Sequence, residues 1–185
     1  MTMSGWIRIG GRFRRWQLFW QMVVVVGASL LVEPAVALAW DRANTNAMDI
    51  SLDTVTGETI RLADFRGRVV LVNFWATWCP PCLREIPVFV RAQQRYGGKL
   101  VVIGVDYMER PDRKDLSAAM RQLEINYPVV YGDANKAQDL ARALGGVPGL
   151  PTTIIIDRHG NRVRNYIGEL NETLLRQLVD PLLEP

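Results

Sequence analysis

The chain of 185 residues holds only two cysteines, and they stand three positions apart in Cys79-Pro80-Pro81-Cys82. As a staple such a pair is poor, because loop entropy gives about 2 kcal/mol for so small a ring against about 4.7 for a 100-residue loop. A bond made and broken in use is the better reading. Upstream, Val69-Val70-Leu71-Val72-Asn73-Phe74-Trp75 is a run of apolar and β-branched residues, the pattern of a strand buried on both faces. Downstream, Leu83, Ile86, Val88, Phe89, Val90 and Ala92 recur at helical spacing as far as Tyr96, where Gly97-Gly98 ends the element.

The cysteines therefore lie at a strand-to-helix junction, with Cys79 near the N-cap and Pro80 at the start of the helix, where proline is well tolerated. A thiolate at Cys79 faces the positive end of that helix. A free thiol of pKa about 8.5 is only about 3% thiolate at pH 7, and lowering the pKa to about 7 makes it half. By position Cys79 is the exposed attacking thiol, and Cys82, one turn further in, resolves the mixed disulfide.

The stretch Asn73-Phe74-Trp75-Ala76-Thr77-Trp78-Cys79-Pro80-Pro81-Cys82, with Glu85 and Pro87 after it, resembles the active-site signature of the thioredoxin superfamily, in its extracytoplasmic TlpA/ResA/DsbE-like branch. Gly149-Leu150-Pro151-Thr152-Thr153 ahead of Ile154-Ile155-Ile156-Asp157 resembles the second signature of that branch, a cis-proline loop before a core strand. The resemblance implies a redox-active Cys79–Cys82 disulfide with no other cofactor. It also implies a cis Leu150–Pro151 bond facing that disulfide, and Glu85 assisting proton transfer. The spacing alone also allows Glu85 to be an exposed carboxylate in the first turns of the helix, favourable to its dipole. Asn73 departs from cytoplasmic thioredoxins, which carry a buried acid there; an asparagine cannot accept the resolving thiol's proton. Client contact is expected from Trp78 and Pro80 at the rim, and from Leu150 and Thr152 along the loop, where an extended client can add as a strand. Trp75 is read as core.

The remaining elements follow in order. Ile50 to Ile60 alternates around Thr56-Gly57 as a hairpin, Leu100 to Val105 is a second buried strand, and Asp112 can cap a helix to Leu123. Tyr127 to Tyr131 is a short strand, and Asn135 to Leu144 a helix closed by Gly145-Gly146. Thr152 to Asp157 and Val163 to Gly168 pair across a turn holding His159, and Asn171 caps a last helix to Leu183. The fold class is α/β, with a mixed sheet flanked by helices. It matches the thioredoxin fold with an N-terminal β-hairpin and a central helix-strand insertion.

Residues 1–39 read as a signal peptide or an N-terminal membrane anchor. Arg8, Arg12, Arg14 and Arg15 precede an apolar stretch from Leu18 to Val32, and Ala37-Leu38-Ala39 offers a cleavage site. That stretch is shorter than the ~20 residues of a spanning helix. Residues 40–49 read as a linker and 50–185 as one thioredoxin-like domain. The leader carries four of the 22 basic residues and one of the 19 acidic ones, which leaves 18 of each in the rest. The net charge of +3 thus belongs to the leader, and no basic stripe suggests nucleic acid.

By resemblance the protein is a periplasmic thiol-disulfide oxidoreductase running as a reductant, exported and either soluble after cleavage or tethered to the inner membrane. It would take electrons from a membrane thiol transporter and reduce disulfides in client proteins such as apocytochrome c or copper-site assembly proteins. Two other classes stay open. A metallochaperone or copper-binding protein of related fold needs a histidine near the thiols, whereas the sole histidine, His159, lies in a turn and a closed metal site wants four ligands. No metal site is expected. A thiol peroxidase shares the fold, but Thr77-Trp78-Cys79 lacks the Thr-x-x-Cys spacing of that class.

Overall fold

The computed structural model describes residues 47–108, 113–132 and 135–184. The leader expected at 1–39, most of the linker and the Asp112 cap lie outside the described residues.

Two strands, β1 (Leu52–Asp53) and β2 (Thr59–Ile60), form the short antiparallel hairpin. A 3-10 turn at Leu62–Phe65 leads into β3 (Val69–Trp75), every residue of which is buried. Helix α1 (Pro80–Tyr96) follows, then β4 (Leu100–Asp106), α2 (Arg113–Gln122) and β5 (Val129–Val130). Helix α3 (Lys136–Ala143), the hairpin β6 (Thr152–Ile156) and β7 (Arg162–Ile167), and α4 (Glu172–Leu183) complete the chain. The sheet order is β5-β4-β3-β6-β7, with β3 parallel to β4 and antiparallel to β6. This is the expected mixed sheet, and α2 with β5 forms the central insertion. No helix among the described residues is long and apolar enough to cross a membrane.

Strand alternation divides the core in two. Val69, Leu71 and Trp75 join Leu100, Val102 and Ile155 beneath α1 and α4, while Val70, Val72 and Phe74 join Val101, Ile103 and Ile154 against α3 and the hairpin. Asn73 is the polar member of the α1 side of β3. Asn171 caps α4 by accepting from the Leu174 N–H at 2.9 Å. Exposed pairs of Arg91 and Arg95 with Glu172 link α1 to α4 and add little beyond orientation.

The linker expected through residue 49 needs correction at its end. Residues 47–49 are helical, and Ala47 and Met48 are buried in the α3-side cluster. The reason is the surface they cover: Met48 closes over Gly160 in the β6–β7 turn, where an added Cβ would stand 3.2 Å from its Cε. The strand expected at Tyr127–Tyr131 is also shorter, at two residues.

Met48→Ala should therefore lower unfolding stability by about 2 kcal/mol or more, the cost of truncating a buried methionine. Urea denaturation followed by circular dichroism measures this; an unmoved midpoint would return Met48 to the linker.

Candidate active site

Seven buried residues of β3 deliver the chain to the top of the sheet, where Ala76 to Cys79 turn it into α1. Cys79 is the N-cap, with φ −97° and ψ 100°, and Pro80 and Pro81 occupy the first helical positions. Cys79 and Cys82 form a disulfide, S–S 2.07 Å, with Cα atoms 5.3 Å apart. Trp75 is core, and its indole packs closely over Gly104 of β4: a Cβ there would lie 3.1 Å from Trp75 Nε1, close enough that the indole would have to give by a few tenths of an ångström.

The expectation of an exposed Cys79 is corrected. It is 3% exposed, because its sulfur is tied back to Cys82, which is fully buried. Around it the surface is open: Trp78 is 58% exposed and Pro80 is exposed as well. Leu150 is half-buried, and the Leu150–Pro151 peptide is cis. Thr152 is not a client contact. It is fully buried at the start of β6, and its hydroxyl donates to the Gly149 carbonyl at 2.7 Å, fixing the loop from within. Met108 and Ile167, 66% and 58% exposed, stand just past β4 and at the end of β7, at the same end of the sheet as the disulfide. Sequence reasoning missed both, since a lone apolar residue at a strand end carries no periodic signal.

Of the two readings left open for Glu85, the exposed carboxylate is the one overturned. Glu85 is fully buried on α1, one turn past Cys82 and on the same helix face. Its Oε1 accepts from Asn73 Nδ2 at 2.8 Å and its Oε2 from the Leu170 N–H at 3.0 Å. Asn73 Nδ2 also donates to Thr153 Oγ1 at 3.1 Å, across the β3–β6 register. Burial is the largest influence on the carboxyl and pushes its pKa up to about 7; the two hydrogen bonds pull it down, and the nearby Glu169 charge adds a smaller upward push. A carboxyl poised near neutrality one helical turn from a thiol can take a proton and return it. Tyr127, from the insertion, is pushed up mainly by burial and further by the Glu85 charge.

The segment carrying Leu170 is itself clamped. Gly168, at φ 112°, donates its N–H to the Pro151 carbonyl at 2.9 Å, and the Glu169 carboxylate pairs with Arg84 of α1 at 2.7 Å. Three residues thus join the proline loop to the glutamate. No sequence pattern announces the Leu170 contact, because its donor is backbone. Among the described residues, no group of three or more His, Cys, Asp or Glu side chains is placed to hold a metal ion, and His159 sits in the β6–β7 turn.

The raised pKa of Glu85 fixes the sign of a pH effect on stability. The folded protein binds this proton up to about pH 7 whereas the unfolded chain, near 4.5, releases it earlier, so the stability it contributes is present at low pH and lost as pH rises from about 4.5 through 7. Glu85→Gln removes the titration. Between pH 5 and pH 8 the variant should gain about 2 kcal/mol on the wild type in urea unfolding; parallel profiles would mean that Glu85 titrates normally.

Comparison with known proteins agrees with this geometry. The model of the AhpC/TSA family matches residues 43–164. Thioredoxin-like protein YneN of Bacillus subtilis is 32% identical over 135 residues, covering 72% of this chain and 76% of that protein. The thiol-disulfide oxidoreductase ResA of Halalkalibacterium halodurans is 29% identical over 147 residues, 78% of each chain. Among solved structures, a thioredoxin-family thiol:disulfide interchange protein of Chlorobium tepidum superposes with a TM-score of 0.61 at 31% identity, covering 72% of this chain and 92% of its own. A secreted thiol-disulfide isomerase of Corynebacterium glutamicum gives 0.63 at 28% identity, with 74% and 84% covered. With its disulfide at the first turn of a helix and a cis-proline loop at the same end of the sheet, the chain belongs to the AhpC/TSA family, among its ResA- and DsbE-like members of thioredoxin fold.

Proposed function

We propose that this thiol-disulfide oxidoreductase works outside the cytoplasm, in the periplasm, as a reductant of disulfides in client proteins, with the Cys79–Cys82 pair as its only redox group. The observation that carries the reading is the placement of that pair at the N-terminus of α1, behind exposed Trp78 and Pro80 and one helical turn from a buried carboxyl.

In the reduced protein the Cys79 thiolate attacks one sulfur of a client disulfide and expels the other as a client thiolate, leaving a mixed disulfide on Cys79. Cys82 then gives its proton to the Glu85 carboxylate and attacks the Cys79 sulfur. The second client thiolate leaves, and the Cys79–Cys82 disulfide forms. Two electrons have passed to the client, whose thiolates take up protons from Glu85 and water. Recharging needs a two-electron dithiol donor, for which a membrane thiol transporter fits, and apocytochrome c or a copper-site assembly protein fits as client. Residues 1–39 serve as export signal or tether in this reading.

The direction of flow follows from the prolines. A thiolate at an N-cap is held by backbone N–H groups of the following residues. Pro80 and Pro81 have none, and the Leu83 N–H already donates to the Cys79 carbonyl at 3.1 Å, which leaves the Cys82 N–H and the helix dipole. The thiolate is less stabilised than in strongly oxidising members of the fold, and a less stable reduced form favours the disulfide. The potential should therefore lie nearer −270 mV than −120 mV. Equilibration in a dithiothreitol or glutathione redox buffer measures it, and a value above about −180 mV would make the protein an oxidase or isomerase instead.

Client capture tests the chemistry itself. Cys82→Ser should accumulate mixed disulfides with periplasmic proteins through Cys79, and Cys79→Ser should not. If both variants or neither trap partners, the roles given to the two cysteines are wrong.

A further inference from the structure

We propose that Asn73 is a positioning residue for proton transfer: its side-chain amide turns over to match the charge of Glu85, donating to the carboxylate and accepting from the carboxyl, so that the proton can move without leaving Glu85 unpartnered. This rests on the proton-transfer role of Glu85 proposed above.

The hydrogen bonds carry the inference. In the observed arrangement Asn73 Nδ2 donates to both Glu85 Oε1 and Thr153 Oγ1, while Asn73 Oδ1 is buried with no hydrogen-bond partner. A buried acceptor left unmade is costly and needs a reason. The arrangement suits a charged Glu85, whose oxygens only accept: one takes Asn73, the other the Leu170 N–H. A protonated Glu85 carries an O–H that must donate, and an NH2 group aimed at it is the wrong partner. A half-turn of the amide about its terminal torsion exchanges Nδ2 and Oδ1, which are nearly the same size and shape. Oδ1 then accepts from the Glu85 O–H.

Thr153 allows the turn because its hydroxyl can reverse, accepting from Nδ2 in one state and donating to Oδ1 in the other. In each state one end of the amide stays unpartnered, so that cost changes ends without favouring either protonation state. Neither leucine, which offers no polar atom, nor aspartate, which adds a second charge, could play this part. The other groups facing Glu85 do not replace it. Cys82 is the proton source, Glu169 is paired with Arg84, Tyr127 stays protonated in this range, and the Leu170 N–H can only donate.

The test uses the full-length reduced protein, mixed with oxidised glutathione between pH 5 and 9, with formation of the Cys79–Cys82 disulfide followed by intact mass after acid quench. The wild-type rate should rise with an inflection near pH 7, and Glu85→Gln should abolish that inflection. Asn73→Leu withdraws a partner from both states of Glu85, and because a hydrogen bond to the charged carboxylate is about twice as strong as one to the neutral acid, the inflection should move up by roughly one pH unit, with the rate at pH 7 falling about fivefold. If Asn73→Leu does not fold, Asn73→Ser, too short to reach Oε1, should give the same shift. An inflection lost in Glu85→Gln but unmoved in the folded Asn73 variant overturns the role of Asn73 alone. An inflection that survives in Glu85→Gln overturns the role of Glu85 and this inference with it.

Discussion

A carboxyl group enclosed in an apolar core and held by two hydrogen bonds is the constraint on which the active site depends. Burial alone would keep Glu85 permanently neutral, since an isolated buried carboxylate is among the costliest groups a core can hold. The two donors alone, at the surface, would keep it permanently charged. Both act here, burial prevails, and the group is left near neutrality, where it can exchange a proton at physiological pH. This balance requires three parts of the chain to meet: β3 for Asn73, α1 for Glu85 and the segment after β7 for the Leu170 N–H.

The sheet makes that meeting possible. Alternation along β3 places Val69, Leu71, Asn73 and Trp75 on one face, so a single polar residue is brought beneath α1 without disturbing the other face. Asn73 stands opposite Thr153 on β6 and Gly104 on β4; Thr153 offers a hydroxyl, and the room that Gly104 leaves is taken by Trp75, Tyr127 and Val129. The antiparallel β6–β7 hairpin then returns the chain to the same end of the sheet, where Gly168 reaches Pro151 and Leu170 reaches Glu85. Proline loop, buried carboxyl and disulfide are thereby brought to one corner of the fold.

Much of this was legible in the sequence, and the missing parts share a physical cause. The run at Val69–Trp75, the periodicity from Leu83 to Ala92 and the Asn171 cap are local patterns, and they mark their elements to within a residue or two. What could not be read are relations between distant residues. The spacing from Cys82 to Glu85 puts both on one face of a helix but does not say whether that face meets water or a sheet. Ala47 and Met48 look like linker because nothing near them shows that Gly160 offers a surface to cover. Thr152 belongs to the proline loop in sequence, yet its hydroxyl points back to Gly149.

Asn73 shows how a residue's meaning changes once its neighbours are known. Taken alone, an asparagine where cytoplasmic thioredoxins carry an acid is a loss of function, because an amide cannot accept a thiol's proton. Beside Glu85 it is the group best suited to the position. An aspartate there would put two carboxyls within hydrogen-bond distance in a medium of low dielectric, and the pair would share one proton rather than release it near neutrality. An amide adds no charge, offers a donor and an acceptor on one flat frame, and leaves the titration to Glu85. Moving the acid from the strand to the helix therefore requires an uncharged partner in its former place, and among uncharged side chains of this size only the amide of asparagine both donates and accepts at the reach observed, 2.8 Å from Glu85.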